Sequence, residues 1–290
     1  MPARAKTPLP CGYRPEIDTS DELGPEEGAY YQSLIGILRW MVELGRLDIC
    51  TEVSMMSSHL ALPRRGHLDA VYHTFGFLKK HHNAEMVFDP REPEVDAQAF
   101  PEQDWERSIY GKVKELLPPN MPTPLGIAMR MIAFVDSDHA GESVTRRSRT
   151  GFLVFLNKAP IYWHSKKQTS CETSTFGSEF VAMKQACEYI RGLRYKLRMM
   201  GIPCEEPCFI YGDNQSVLAN TGNPDSQLKK KSCSIAYHFV REGCAANEWR
   251  TTYIKTTSNL ADLMTKCLSA SKRGEIVRKL LRWVADRVEE

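Results

Sequence analysis

Between residues 90 and 125 regular structure has little chance to form. Pro118, Pro119, Pro122 and Pro124 fall within seven residues, after an acidic run from Asp89 to Glu106 that holds three more prolines. Each proline removes an amide donor and blocks a helix interior, so this stretch reads as an acidic, Pro-rich linker. It divides the chain. Residues 1–29, rich in Pro, Gly and acids, form a loose N-terminal segment. Residues 30–89 form a small helical segment, and residues 126–285 form a domain of a different kind.

The hydrophobic period differs on the two sides of the linker. Over 30–60, Leu34, Ile37, Leu38 and Met41 recur at three- and four-residue spacing, which predicts a helix with those residues buried. A second helix is predicted over 66–82, with Leu68, Val71, Phe75 and Leu78 as its apolar stripe. Its last turn carries Lys79, Lys80, His81 and His82, which suit the negative end of the helix dipole. Beyond the linker, short apolar runs alternate with helical patterns. Strands are predicted at 129–135, 151–156, 161–164, 209–211 and 248–254, with a hairpin turn at Asn157 to Pro160. The longest helix is expected over 178–200, with Ser174 or Thr175 as its cap and Gly201 just past its end. Shorter helices follow at 215–220, 234–245, 259–268 and 274–284. The order β-β-β-α-β-α-α-β-α-α predicts an α/β fold: a mixed five-stranded sheet flanked by helices.

Composition excludes several classes. With 42% hydrophobic and 26% charged residues, the chain is neither disordered nor fibrous. Its longest apolar stretch, near 34–44, is broken by Arg39 and Glu43 and cannot span a bilayer, so no membrane partner is expected. Residues 1–10 lack an apolar signal core, which makes an intracellular location, cytoplasmic or nuclear, the expectation. Nine scattered cysteines without a C-x-x-C pair read as reduced thiols. The net charge of +2 conceals a division: −6 over residues 1–125 and +8 over 126–290. A basic C-terminal part fits a polyanionic partner.

Most acids are expected to be solvated surface charges, but four are placed differently. Asp136 and Asp213 each end an apolar strand, Glu179 opens the long helix, and Asp262 lies near the start of another. Strand ends and helix starts are where open α/β sheets build their sites. Four carboxylates brought together repel one another unless a cation sits between them. Hard oxygen ligands with room for water and phosphate suit Mg²⁺, and two such ions can cleave a phosphodiester. Asp138 rivals Asp136, because residues two apart on a strand share a face.

Several ordered motifs sharpen this pattern. They are Phe134-Val135-Asp136-Ser137-Asp138, Ser148-Arg149-Thr150-Gly151-Phe152, Tyr162-Trp163-His164-Ser165-Lys166-Lys167-Gln168 and Ser178-Glu179-Phe180-Val181-Ala182, followed by Tyr211-Gly212-Asp213-Asn214-Gln215-Ser216, Tyr237-His238-Phe239-Val240-Arg241-Glu242 and Leu260-Ala261-Asp262-Leu263-Met264-Thr265-Lys266. Together, across about 130–285, they resemble the RNase H domain of copia-type retrotransposon polyproteins. Tyr31-Gln32-Ser33-Leu34-Ile35-Gly36 and Arg46-Leu47-Asp48-Ile49 resemble the same family's connection segment between polymerase palm and RNase H, with Leu47 where that family has proline.

The resemblance implies an RNase H-like fold and a D-E-D-D site of Asp136, Glu179, Asp213 and Asp262. These would act as catalytic residues and as ligands of two Mg²⁺ ions, with Mn²⁺ able to substitute. Asp136 would bridge both ions, Asp213 with Asp262 nearby would hold the water-activating ion, and Glu179 would hold the ion at the leaving oxygen. Asp262 is expected at the rim. The implied activity is cleavage of the RNA strand of an RNA–DNA hybrid, leaving 5′-phosphate and 3′-hydroxyl ends. The implied protein partner is a reverse transcriptase, parental or separately encoded. The alternatives are a non-catalytic nucleic-acid-binding remnant, an inert retrotransposon fragment, or a DNA-directed nuclease of the same fold.

Three departures from the family pattern stand out. No Tyr-x-Asp-Asp motif occurs, so no polymerase activity is expected of this chain. Gly177 replaces an acidic residue two before the glutamate, and Lys231 to Ala236 replaces a more basic, His-containing stretch. The loop at 256–259 also lacks the histidine that cellular RNases H use in product release, an absence that copia-type domains commonly share. Arg146, Arg147, Arg149, Lys166, Lys167 and Lys229, Lys230, Lys231 are charge runs whose ordinary role is a solvated face; within such a domain they become candidate phosphate contacts.

Overall fold

The computed structural model describes residues 5–228 and 233–283. Its N-terminal part is helical, as the 3.6-residue period predicts, but broken differently. Helix α1 (Pro25–Glu43) has proline in its first turn and ends before Gly45, whose φ of +113° no other residue adopts comfortably. The expected single helix over 30–60 therefore gives way to a 3-10 turn at Leu47–Ile49 and a second helix, α2 (Cys50–Met56). On α1 the buried residues are Gly28, Tyr31, Leu34, Ile35, Leu38 and Val42, while Ile37 is 51% exposed. The stripe thus lies about one residue round from the predicted one. Helix α3 (Arg65–Lys80) buries Leu68, Val71 and Leu78, and strand β1 (Ala84–Met86) follows.

The central sheet has five strands: β2 (Met131–Asp138), β3 (Arg149–Leu156), β4 (Ala159–Lys167), β5 (Cys208–Gly212) and β6 (Trp249–Tyr253). Their spatial order is β4-β3-β2-β5-β6. Strands β2, β3 and β4 form an antiparallel meander, whereas β5 lies parallel to β2 and β6 parallel to β5. This is the mixed sheet the element order predicts. Helix α4 (Thr175–Met199) connects the meander to β5; Ser174 caps it by accepting the Gly177 N–H, and Gly201, at φ +73°, ends it. Helices α5 (Gln215–Gly222) and α6 (Ser234–Ala245) precede β6.

Both faces of the sheet are covered. Met131, Ala133, Val135, Phe152, Val154, Cys208 and Ile210 face α4 and α6 in one core. The alternate residues Ile132, Phe134, Leu153, Phe155, Phe209 and Tyr211 face a second core that contains α1, α2 and α3. The N-terminal segment is therefore a layer of the molecule. Its closure continues at the C-terminus, where helix α7 (Ala270–Leu280) leads into β7 (Leu281–Trp283), paired antiparallel with β1. The predicted helix at 259–268 is only a 3-10 turn, Leu260–Met264, because the segment runs flat against the sheet. Gly151 permits this: a Cβ there would lie 2.8 Å from the Met264 carbonyl carbon and 2.6 Å from Thr265 Cγ2.

Residues 90–125 contain one short 3-10 turn, Ala97–Ala99, yet they are anchored to the sheet domain. Phe100 is buried edge-on against Phe209 and Tyr211. Glu115 receives bidentate bonds from Arg194 and from Arg198 on α4, and these hold its carboxyl at about 2 against the effect of burial. All nine cysteines are free thiols. Among the described residues no helix is long and apolar enough to cross a membrane.

Candidate metal centre

Asp136 stands near the end of β2, on the face toward the N-terminal layer. Its register partner on β3 is Gly151, whose own partner on β4 is Ser165. Glu179 lies in the second turn of α4, near its N-terminal end, and Asp213 follows the last residue of β5. Since β5 runs parallel to β2, both strands deliver their terminal aspartates to the same sheet end. One carboxylate oxygen from each of Asp136, Glu179 and Asp213 lies within 4.8 Å of the other two. Asp136 and Glu179 are buried and Asp213 is partly exposed, so the cluster opens to solvent on the Asp213 side.

Its surroundings fix these groups. Ser137 donates to Ser178 Oγ at 3.0 Å, and Gln168 donates to the Ser178 carbonyl at 2.9 Å, which ties the start of α4 to β2. Asn259 donates to the Val135 carbonyl at 3.0 Å, tying the Leu260–Met264 turn to the same strand. Thr265 Oγ1 donates to Asp136 Oδ2. Burial, and then the charges of Asp136 and Asp213, push the Glu179 carboxyl well above the usual carboxylate range, against hydrogen bonds from Ser137. Burial raises Asp136 as well; Lys266 and Thr265 oppose that, while Asp262 and Asp213 add to it. The cluster is short of positive charge. Its donors are hard carboxylate oxygens, and the set fits Mg²⁺ or Mn²⁺.

Asp262 departs from the expectation. Instead of lying at the rim it is fully buried, outside the converging trio. Lys266 Nζ sits 2.8 Å from its Oδ1, and the Lys272 ammonium donates to its Oδ2. The same Lys266 Nζ is 3.7 Å from Asp136 Oδ2, so Asp262 faces Asp136 through an ammonium group. Burial works against the Lys266 charge, but Asp136 and Asp262 hold it protonated. Asp138 shares the face of Asp136 but stays outside the trio, 3.9 Å from Arg14 Nη1.

The basic residues separate. Arg147, Arg149 and Lys167 line one cleft beside Asp138, Thr265 and Lys266. Arg146 is exposed at φ +57°, and Lys166 is exposed on β4. Lys229, Lys230 and Lys231 lie outside the described residues. Sequence reasoning passed over Thr265, Lys266, Lys272 and Arg14. Lys266 carried a local signal, standing four residues after Asp262; Arg14 and Lys272 carried none.

Comparison with known proteins follows the same line. The chain is 29% identical over 155 residues, 53% of its length, to the Retrovirus-related Pol polyprotein from transposon RE2 of Arabidopsis thaliana. It is 25% identical over 250 residues, 86% of its length, to that from transposon RE1 of the same plant. The chain is a homologue of copia-type retrotransposon Pol polyproteins. It spans 11% and 15% of the length of those two relatives. No protein-family model matches the sequence. Among solved structures, RNase H1 from Halobacterium salinarum is similar at a TM-score of 0.37 and 13% identity, over 47% of this chain and 94% of that one.

Proposed function

We propose that this chain is a ribonuclease H-type endonuclease that cuts the RNA strand of an RNA–DNA hybrid. Asp136, Glu179 and Asp213 would hold two Mg²⁺ ions, for which Mn²⁺ can substitute. The observation that carries the reading is the convergence of these three carboxylates within 4.8 Å at one sheet end, in a homologue of retrotransposon Pol polyproteins. Ions bound there supply an activated water and neutralise the leaving oxygen.

The chain's own part is preorganisation. Asp136 is held by a strand and by the Thr265 hydroxyl, Glu179 is held by a helix tied to that strand, and Asp213 faces solvent. Asp262 acts at one remove, holding Lys266 beside Asp136. In the proposed division of the chain, residues 30–89 are a connection segment, 90–125 a tether and 126–285 the nuclease domain. The test is cleavage of a labelled hybrid in Mg²⁺, with single-stranded RNA and duplex DNA as controls; cutting confined to the hybrid's RNA strand supports the proposal.

One observation favours a second reading. Lys266 already places a cation between Asp136 and Asp262, which suits a fragment that binds hybrid without cutting it. Hybrid binding with no cleavage at any Mg²⁺ or Mn²⁺ concentration decides for that reading.

A further inference from the structure

Helix α1 is apolar on two sides. Tyr31, Leu34, Ile35, Leu38 and Val42 enter the core of the N-terminal layer. A second set, Tyr30, Ser33, Ile37, Trp40 and Leu44, is spaced three and four residues apart in turn, the a and d spacing of a helix seam. This stripe faces away from the core. Tyr30 is 50% exposed, Ile37 51%, Trp40 65% and Leu44 67%, and Ser33 is exposed with them. A surface helix carries one apolar stripe toward its core and is polar opposite; a second stripe needs a second cover.

The stripe belongs to a larger patch. A Cβ on Gly45 would lie 3.7 Å from Met86 Cβ, so Val87 and Phe88, both exposed, continue the apolar surface past Leu44. Gln32, Arg39 and Glu43, also exposed, border the stripe on the Trp40 side as a polar rim. Gly36 on that flank is open, with nothing within 4 Å of where its Cβ would stand. Taking about 150–250 Å² for a whole aromatic side chain and somewhat less for an aliphatic one, the six large side chains present roughly 600 Å² of apolar surface. That is the upper end of what a monomer shows in one patch, about 300–600 Å². With its rim the face approaches the roughly 800 Å² that each partner buries in a stable interface.

The pattern selects the occupant, because two such stripes fit each other. In an antiparallel pair about a two-fold axis between positions 38 and 39, Ile37 of each copy meets Trp40 of the other, and Leu44 of each meets Ser33 of the other. Each large side chain then faces a smaller one. The contact is isologous, so it closes at two copies and leaves no free edge.

We infer that the exposed face of α1 is a homodimer interface, in which a second copy of this chain pairs antiparallel through Ser33, Ile37, Trp40 and Leu44. None of these residues belongs to the carboxylate cluster, so each copy keeps its own cluster and the inference stands apart from the nuclease reading. It gives the N-terminal layer a second task beyond covering the sheet.

The experiment is sedimentation velocity of the full chain between about 1 and about 100 µM, where an interface of this size is expected to show a Kd of about 10 µM. Trp40→Glu and Ile37→Glu, each at an exposed position and first checked for an unchanged thermal midpoint, should weaken association at least thirtyfold, as expected for charges set in the centre of an apolar contact. Both should leave Mg²⁺ affinity by calorimetry unchanged. The chain's acidic first part and basic second part offer a rival, head-to-tail association held by charge. The apolar seam should keep its affinity at about 0.5 M salt, where exposed charges are screened; a dimer that dissolves there overturns the inference. Register is tested by cysteine cross-linking with the exposed Cys11 and Cys171 changed to serine. Ser33→Cys mixed with Leu44→Cys should link copies, and Ser33→Cys linking to itself overturns the antiparallel pairing. A dimer that survives Trp40→Glu places the interface elsewhere. A wild type that stays monomeric at about 100 µM overturns the inference, and if it then binds a separately expressed reverse transcriptase through Trp40, the face belongs to that partner instead.

Discussion

Glu52 offers a prediction that depends on burial alone. It sits on α2, 2% exposed, and no hydrogen-bond partner reaches its Oε2 among the described residues. Burial raises its carboxyl to about 7, against the opposing charge of Arg273. An acid raised on folding binds its proton more tightly in the native state. Its destabilising effect is therefore absent below the unfolded pKa near 4.5, grows as pH rises, and levels off above about 7. At about 1.4 kcal/mol per pKa unit, the full effect is roughly 3 kcal/mol, of which about 2 develops between pH 5.5 and 7. Glu52→Gln keeps the shape and removes the ionisation. The variant should gain about 2 kcal/mol on wild type between pH 5 and pH 8, equivalent to several degrees in midpoint. Urea denaturation of both proteins at half-unit pH steps gives the difference directly, and titrations elsewhere cancel in it. A difference that stays flat with pH, or that falls as pH rises, would refute the argument.

Four further outcomes follow from the geometry. Asp136→Asn should abolish hybrid cleavage and weaken Mg²⁺ binding by calorimetry while keeping hybrid affinity, whereas Asp138→Asn, outside the trio, should do much less; equal behaviour would undo the choice of Asp136. Mg²⁺ affinity should rise at least tenfold from pH 6 to pH 8, because the raised Glu179 and Asp136 carboxyls must lose protons to bind, and a flat calorimetric profile would contradict this. Glu115→Ala strands the buried Arg194 and Arg198 without a counter-charge and should cost about 3–5 kcal/mol in urea melts; a loss below about 1 would show that the 90–125 segment is not anchored there. Gly151→Ala pushes a methyl into the Met264 backbone and should lower both the thermal midpoint and Mg²⁺ affinity, since Thr265 leaves Asp136 when that turn shifts.

Much of the candidate site was legible because each part carries a local signature. An apolar run ending in Asp136, another ending before Asp213, and a capped helix opening at Glu179 each follow from spacing within a few residues. The parallel β2–β5 pairing, which the structure supplies, then brings these ends together. Spacing could not choose between Asp136 and Asp138, which share a face. The position of the α4 start decides it, fixed through Ser137 and Ser178. A further clue lay unused in the strands. In β2, the unbroken run from Met131 to Val135 has no polar alternation, the mark of a strand buried on both sides. Such a sheet needs a second covering layer, and residues before the linker supply it.

The sequence by itself determined the strands and the long helix with its cap and terminal glycine, and it marked the candidate carboxylates, because all depend on neighbours along the chain. The tertiary structure decided the rest. It placed Lys266 and Lys272 on Asp262, joined Arg273 to Asp48 at 3.0 Å across more than 200 residues, and paired β1 with β7. It also drew Glu115 out of a proline-rich stretch onto two arginines. The physical reason is common to the ion pairs among these. A charge buried by folding must find its counter-charge wherever the packed layers bring one within about 3 Å, and no period in the sequence records that distance.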